Sequence, residues 1–321
     1  MAIAAKLDTV VDSFVPRVMP TRNGTSIATF LSSMRSQILS FLLVAGAAYA
    51  AESSTGVKCF EQKDFACAAR EWQALAEKGV PQAQYNLGLL YARGLGVPKD
   101  PAKAAELYQQ ASNYGIVQAQ YNLAHCYLNG IGLPKDEDQA ISWFQKAADL
   151  GDPNAANNLA TILEHRKDYA NAMKWYKKAA GEGLPKAQFN LGQMYDLGLG
   201  MPQDFVEAAN WYQKAADQGD AGGLCNLAIL YYNGQGVPVD RVKAYQFFML
   251  AFKAGDERAT NLMGRTANKL KADQIAKAGD LARSFESSHP LKYSDELSAP
   301  QPIMDADSKV SVRNISRTGT D

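Results

Sequence analysis

From residue 64 to residue 264 the apolar positions of this chain fall into two alternating helical patterns. In one, an Asp is followed four residues later by Ala, four further on by an aromatic ring and seven beyond that by Gly. Six copies fit, opening at Asp64, Asp100, Asp136, Asp168, Asp204 and Asp240, with Ala68, Ala104, Ala140, Ala172, Ala208 and Ala244 next. Trp72, Tyr108, Phe144, Tyr176, Tyr212 and Phe248 supply the rings, and Gly79, Gly115, Gly151, Gly183, Gly219 and Gly255 close the units. Successive Asp residues are 36, 36, 32, 36 and 36 apart, which makes this an internal repeat.

The spacing predicts one helix per unit, helix B. Asp accepts hydrogen bonds from the free N–H groups of a first helical turn, and Pro101 stands where a missing N–H costs nothing. Ala and ring, four apart, share a face that Ala111, Ala147, Ala179, Ala215 and Ala251 extend. The closing Gly suits the left-handed conformation that stops a helix. A second pattern, helix A, runs from Ala83 to Tyr91, Ala119 to Tyr127, Ala187 to Tyr195 and, as a variant, Gly223 to Tyr231. Its small residues, such as Ala83 and Gly88, admit a neighbouring helix, and Leu87 and Tyr91 supply buried bulk. A loop of the form Gly94-x-Gly96-x-Pro98-x-Asp100 leads from helix A to helix B. Each unit is an αα-hairpin that cannot bury its apolar face alone, so the fold class is all-α, a right-handed α-solenoid of about six stacked helix-turn-helix repeats.

These residues resemble the Sel-one-like repeats, relatives of the tetratricopeptide repeat, over roughly residues 64–264. The resemblance implies a curved, non-enzymatic scaffold that binds a protein or peptide, without naming it. It also singles out Asn86, Asn122, Asn158, Asn190 and Asn226, each immediately before the Leu of helix A. In tetratricopeptide repeats the matching position faces the concave groove, where an Asn can hydrogen-bond the main chain of an extended peptide, since an amide both donates and accepts. The other reading is that each Asn bonds a neighbouring helix. Carried further, the resemblance places His125, Glu164, His165 and Asp196 among the variable positions of that groove, together with Gln84, Leu89, Arg93, Asn129, Thr161, Gln193 and Tyr232. The doublets Trp143-Phe144, Trp175-Tyr176, Trp211-Tyr212 and Phe247-Phe248 stand at core spacing and read as packing.

The unit from Asp152 to Gly183 lacks four residues, and Glu164-His165-Arg166-Lys167 stands in place of the Gly-containing loop. It is closer to the parent tetratricopeptide hairpin and is expected to alter the curvature of the stack. After Gly255 the pattern decays into a more polar helix, Asp273 to Phe285, as a terminal repeat requires. The repeat domain is accordingly drawn from residue 51 to 289, and the Ser-, Asp- and Pro-rich residues 290–321 read as a disordered tail. Residues 1–50 read as a leader whose core, about 34–50, has the order of a signal peptide: Met34-Arg35, an apolar run from Ile38 to Ala50, and Ala48-Tyr49-Ala50 before Ala51. That run of 13 residues is shorter than the roughly 20 a spanning helix needs. Translation from Met34 would give a leader of ordinary length, and from Met1 a long one. A buried or interfacial helix and a membrane anchor are the competing readings of the run.

Charge and chemistry narrow the function. Thirty-three basic and 33 acidic residues leave no net charge, which argues against the diffuse positive field of a nucleic-acid or anionic-membrane binder. Export would permit disulfides. Cys59 and Cys67 lie symmetrically about Lys63, where the first hairpin turns. Helix axes about 8–10 Å apart oppose a bridge that needs Cα atoms about 4.4–6.8 Å apart, whereas near a tight turn the gap closes, so bridge and free thiols both stay open. Cys126 and Cys225 read as lone buried thiols. The Gly-x-Gly loops lie between helices and lack the strand and the third Gly of a dinucleotide fingerprint. A penicillin-recognising serine enzyme needs Ser-x-x-Lys, Ser-Asp-Asn and Lys-Thr-Gly, and none of these strings occurs. Three His residues in all and no His-Glu-x-x-His argue against a metal hydrolase. The expectation is a periplasmic or secreted binding scaffold with no catalytic residue, cofactor, metal or nucleic-acid partner, and no stable membrane insertion once the leader is cleaved. The competing classes are a cell-wall-directed hydrolase or penicillin-binding protein, and a cytoplasmic scaffold if the leader is retained. N-terminal sequencing of the protein from its native host is expected to begin at Ala51; a chain that still starts at Met1 would favour the cytoplasmic reading.

Overall fold

The computed structural model describes residues 55–289, so the expected leader and tail lie outside the described residues. Fourteen helices follow one another among them, with no strand. Helix α1 (55–61) precedes α2 (Phe65–Glu77), and α3 (Pro81–Arg93) precedes α4 (Pro101–Asn113). Next come α5 (Val117–Asn129) with α6 (Glu137–Asp149), α7 (Pro153–His165) with α8 (Tyr169–Gly181), α9 (Pro185–Leu197) with α10 (Phe205–Ala216), and α11 (Ala221–Asn233) with α12 (Arg241–Lys253). Each helix A packs most extensively on the helix B that follows it and less so on the preceding one, which is the sequential stacking of a solenoid.

The local signals act as the sequence predicts. All six Asp residues cap helix B: Asp64 accepts from the Cys67 N–H at 3.0 Å, Asp100 from Lys103 at 3.0 Å, and Asp136, Asp168, Asp204 and Asp240 do likewise. Asp152 and Asp220 cap the two helices A that open on them. Inside each hairpin the ring of helix B lies on the small residue that follows the Leu position of helix A. A Cβ on Gly88 would stand 2.8 Å from the Tyr108 ring, one on Gly192 2.6 Å from Tyr212, and one on Gly56 2.4 Å from Trp72. Ala124, Ala160 and Ala228, at 0% exposure, occupy the same place opposite Phe144, Tyr176 and Phe248. Of each aromatic doublet, the second ring is the deeper: Phe144, Tyr176, Tyr212 and Phe248 are almost wholly enclosed. In the three Trp doublets the first ring sits nearer the surface under a lysine, with Lys146 Nζ 3.7 Å from the Trp143 ring and Lys214 Nζ 3.7 Å from Trp211, whereas Phe247 stacks on Tyr231. Each buried ring contributes about 1.5–3 kcal/mol of hydrophobic stabilisation.

Two further contacts join successive hairpins. Buried glutamines at the start of helix A reach back to carbonyls at the end of the preceding helix B: Gln120 Nε2 to Ser112 O and Gln188 Nε2 to Ala180 O, both at 3.3 Å, with Gln84 longer at 3.5 Å to Ala76 O. The loops also sit on the first turn of the previous helix B. Gly132, with φ +72°, comes so close that a Cβ would lie 2.1 Å from the Pro101 carbonyl oxygen, and Gly96 and Gly236 approach Phe65 and Phe205 in the same way. The short repeat, α7 and α8, lacks both devices and replaces each. Ala156 stands where the glutamine would be, and Lys178 Nζ takes the Ala148 carbonyl at 2.6 Å. In place of the loop, Arg166 reaches the same helix turn with its side chain, Nε to Glu137 Oε1 at 2.6 Å and Nη2 to Asp138 Oδ1 at 2.8 Å.

The two short turns of the stack share one geometry, with Lys63 and Lys167 at positive φ. Across the first of them Cys59 and Cys67 are joined in a disulfide, their Cα atoms 5.7 Å apart. At the far end, beyond the six hairpins, the terminal repeat expected after Gly255 is a helix pair. Helices α13 (Arg258–Ala267) and α14 (Ala272–Ser288) both pack on α12 rather than mainly on each other. Phe285 meets the Phe247 ring edge-on, Lys253 pairs with Glu286 at 2.8 Å, and the other face of α14 is polar and exposed. Gly115, at φ +83°, has open space around a Cβ, so Gly115→Ala is expected to cost about 1–2 kcal/mol, the backbone term alone. Gly132→Ala is expected to cost at least about 1 kcal/mol more, because the Pro101 backbone must also move. The urea midpoints of the two variants check this.

Candidate functional site

The candidate residues lie along helices α3, α5, α7, α9 and α11. The five asparagines differ in use. Asn226 Nδ2 donates to the Tyr212 hydroxyl at 3.0 Å and Asn190 Nδ2 to Asn157 Oδ1 at 2.9 Å. Asn158 Nδ2 lies 3.3 Å from the Tyr121 hydroxyl and 3.1 Å from His125 Nε2. These amides tie one helix A to its neighbour or to the preceding helix B. Asn86 is 1% exposed. Asn122 Nδ2 is also buried and faces the hydroxyls of Tyr85 and Tyr108, yet it closes a hydrogen bond of ordinary geometry to neither.

His125 packs edge-on against Phe144, and burial holds its pKa below the usual histidine range. Glu164 and Asp196 occupy equivalent places, five residues beyond the Leu of their helices, and the hydroxyl of each hairpin's own tyrosine turns to them. Tyr176 donates to Glu164 Oε2 at 2.7 Å, and Tyr212 donates to Asp196 Oδ2 at 3.1 Å. Burial raises the Asp196 pKa, and the Tyr212 bond opposes that rise. The same enclosure pushes the phenols of Tyr108, Tyr176 and Tyr212 far above their ordinary range and Tyr85 up to about 12, so all are O–H donors at neutral pH. His165 is exposed. The structure therefore brings His125 and Asn158 together and keeps Glu164 and Asp196 in separate hairpins, each with its own tyrosine. Sequence reasoning took those acids for groove positions and missed their tyrosine partners. The signal was present: an acid stands at this place in α7 and α9, whose hairpins carry Tyr, and an apolar or aromatic residue in α5 and α11, whose hairpins carry Phe.

A pocket of about 470 Å³ opens beside Asn122, between α3, α4 and α5. Ala92, Arg93, Lys99, Tyr108, Asn122 and Cys126 contribute to its lining. Cys126 and Cys225 are free and buried, and burial raises their thiols to about 11 and about 12, so both stay protonated. Among the described residues no three His, Cys, Asp or Glu side chains gather as a metal site, and no helix is long and apolar enough to cross a membrane.

Residues 81–115, 117–152, 185–220 and 221–256 each match the Sel1 repeat. The chain is a Sel1-like repeat protein. Residues 138–187, which span the short hairpin, match a tetratricopeptide repeat instead, in keeping with the tight turn at Lys167. Among solved structures, this Sel1-like chain is similar to a protective antigen present in uropathogenic Escherichia coli strains and displaying an SLR fold. The two share 33% identity with a TM-score of 0.65, over 79% of this chain and 53% of that one. The chain thus spans about half the length of that antigen. A Sel1 repeat protein from Oxalobacter formigenes is 27% identical with a TM-score of 0.64, over 72% of this chain and 99% of the other. No curated protein matches the sequence.

The contrast between Tyr212 and Tyr108 is measurable. Tyr212→Phe strands the buried Asn226 amide and the Asp196 carboxylate, and is expected to cost about 1–3 kcal/mol. Tyr108→Phe removes a hydroxyl with no closed internal bond and is expected to change stability by less than about 0.5 kcal/mol. Paired urea unfolding curves decide the point.

Proposed function

We propose that this protein is a non-enzymatic adaptor working in the periplasm or outside the cell, and that it holds a protein or peptide partner along the helix A face. The observation that carries the reading is the pocket of about 470 Å³ between α3, α4 and α5, where two successive hairpins combine a buried amide, a phenol and two cationic side chains. Asn86, Asn122, Asn158, Asn190 and Asn226 run through this surface, with His125, Glu164, His165 and Asp196 beside them. In this reading Asn122 meets the partner directly, while Asn158, Asn190 and Asn226 keep the face in register.

Export is supported by the Cys59–Cys67 bridge, since disulfides persist in oxidising compartments, and by the signal-like order of residues 34–50. The likeness to a protective antigen of uropathogenic Escherichia coli points the same way. The absence of the serine-enzyme strings supports a binding role over hydrolysis.

A photo-crosslinking residue placed at His165 or Gln193, on helices α7 and α9, is expected to trap a partner in the native host. The same residue at Gln145, exposed on α6, is expected to trap none. Crosslinks from Gln145 alone would move the interface to the helix B side, and none from any position would count against the adaptor reading.

A further inference from the structure

We propose that the pocket between α3, α4 and α5 receives the carboxylate of an Asp or Glu side chain from the protein partner. The proposal rests on the adaptor reading above and names the chemistry that this part of the face selects.

The argument comes from comparing the hairpins with one another. Five residues beyond the helix A Leu stand Ala92, Leu128, Glu164, Asp196 and Tyr232, and the buried rings of the same hairpins are Tyr108, Phe144, Tyr176, Tyr212 and Phe248. Where the ring is Phe, the position carries no acid. Where it is Tyr176 or Tyr212, the position supplies the carboxylate that accepts the phenol proton, at 2.7 Å and 3.1 Å. Tyr108 breaks the rule: its hairpin has Ala92.

Space replaces the missing acid. Ala92, Tyr108 and Asn122 line the pocket of about 470 Å³. Asn122 is the counterpart of Asn226, whose amide donates to the Tyr212 hydroxyl, but its own buried Nδ2, turned to the Tyr85 and Tyr108 hydroxyls, closes a hydrogen bond of ordinary geometry to neither. No Asp or Glu lines the pocket, whereas Lys99 and Arg93 do, both exposed, and the Arg93 charge acts on the Tyr108 phenol. A carboxylate is acceptor-only, and hydrogen bonds to an ionised acceptor are shorter and stronger than neutral ones. An incoming Asp or Glu would occupy the place that Glu164 and Asp196 fill from within. It would accept from the Tyr108 hydroxyl and the Asn122 amide, with the two cations favouring its charge.

The test is selection of a random 12-residue peptide library on the full chain, followed by affinity measurement of the selected peptides. An acidic residue is expected at one fixed position, and changing it to its amide is expected to weaken binding at least tenfold. Ala92→Glu builds the internal carboxylate back and is expected to weaken the same peptide at least tenfold while leaving helicity unchanged. Lys99→Glu, an exposed change that spares the core, is expected to weaken it by a similar factor and serves if Ala92→Glu fails to fold. Peptides without acidic preference, or peptides that bind the folded variants as tightly as the parent, would overturn the carboxylate proposal and leave the adaptor reading standing. Selection of no peptide at all would count against both.

Discussion

The close seating of one helix B ring on one small helix A residue is the contact on which the stack depends. Gly56, Gly88 and Gly192 lie under Trp72, Tyr108 and Tyr212, and Ala124, Ala160 and Ala228 under Phe144, Tyr176 and Phe248. A larger residue at any of these places would push the paired helices apart, and each hairpin must present the same width to the next for the stack to continue. The Asp caps and closing glycines fix where helices begin and end. The ring contact fixes how far apart they lie, so the apolar faces of neighbouring hairpins meet without gaps.

The short hairpin shows which parts of the repeat are obligatory. It keeps a buried Ala160 and Tyr176 at the small-residue and ring positions and the Asp168 cap, and discards the loop and the glutamine. Lys178 and Arg166 then reach the groups those features would have covered, the end of one helix B and the start of the same helix. A backbone contact has been exchanged for exposed ion pairs, which are individually weak, about 0–1 kcal/mol. The middle of the stack is therefore held mainly by its core, and the other loops are fastened through backbone packing.

Much of this was legible from residues 64–264 because a repeat shows each signal several times: six Asp residues at one place cap six helices. The terminal pair was harder to read, since α13 and α14 do not keep the spacing that marks a hairpin and both lie on α12. The fate of the asparagines was not legible. Spacing shows that Asn158 and Asn190 share a face, but it cannot show that one amide turns to Tyr121 and His125 and the other to Asn157, because those partners are 33 to 37 residues away. Likewise Cys59 and Cys67 flank a turn in the sequence, but only the geometry of that turn brings their Cα atoms to 5.7 Å.

A solenoid built from near-identical units binds selectively only where its units differ. On the helix A face most polar groups are spoken for: Asn226, Tyr212 and Asp196 satisfy one another, as do Tyr176, Glu164 and Thr161. Such clusters offer a partner little, because any new hydrogen bond must first displace an internal one of similar strength. A group left over by the repeat's own pattern is different, since a buried donor without an acceptor is costly to the free protein and its pairing is gained on binding. Ala92 creates that condition by removing one carboxylate from a series that otherwise pairs every buried helix B tyrosine. On the carboxylate proposal, recognition on this scaffold comes from an omission in the repeat, read against neighbours that keep the full pattern.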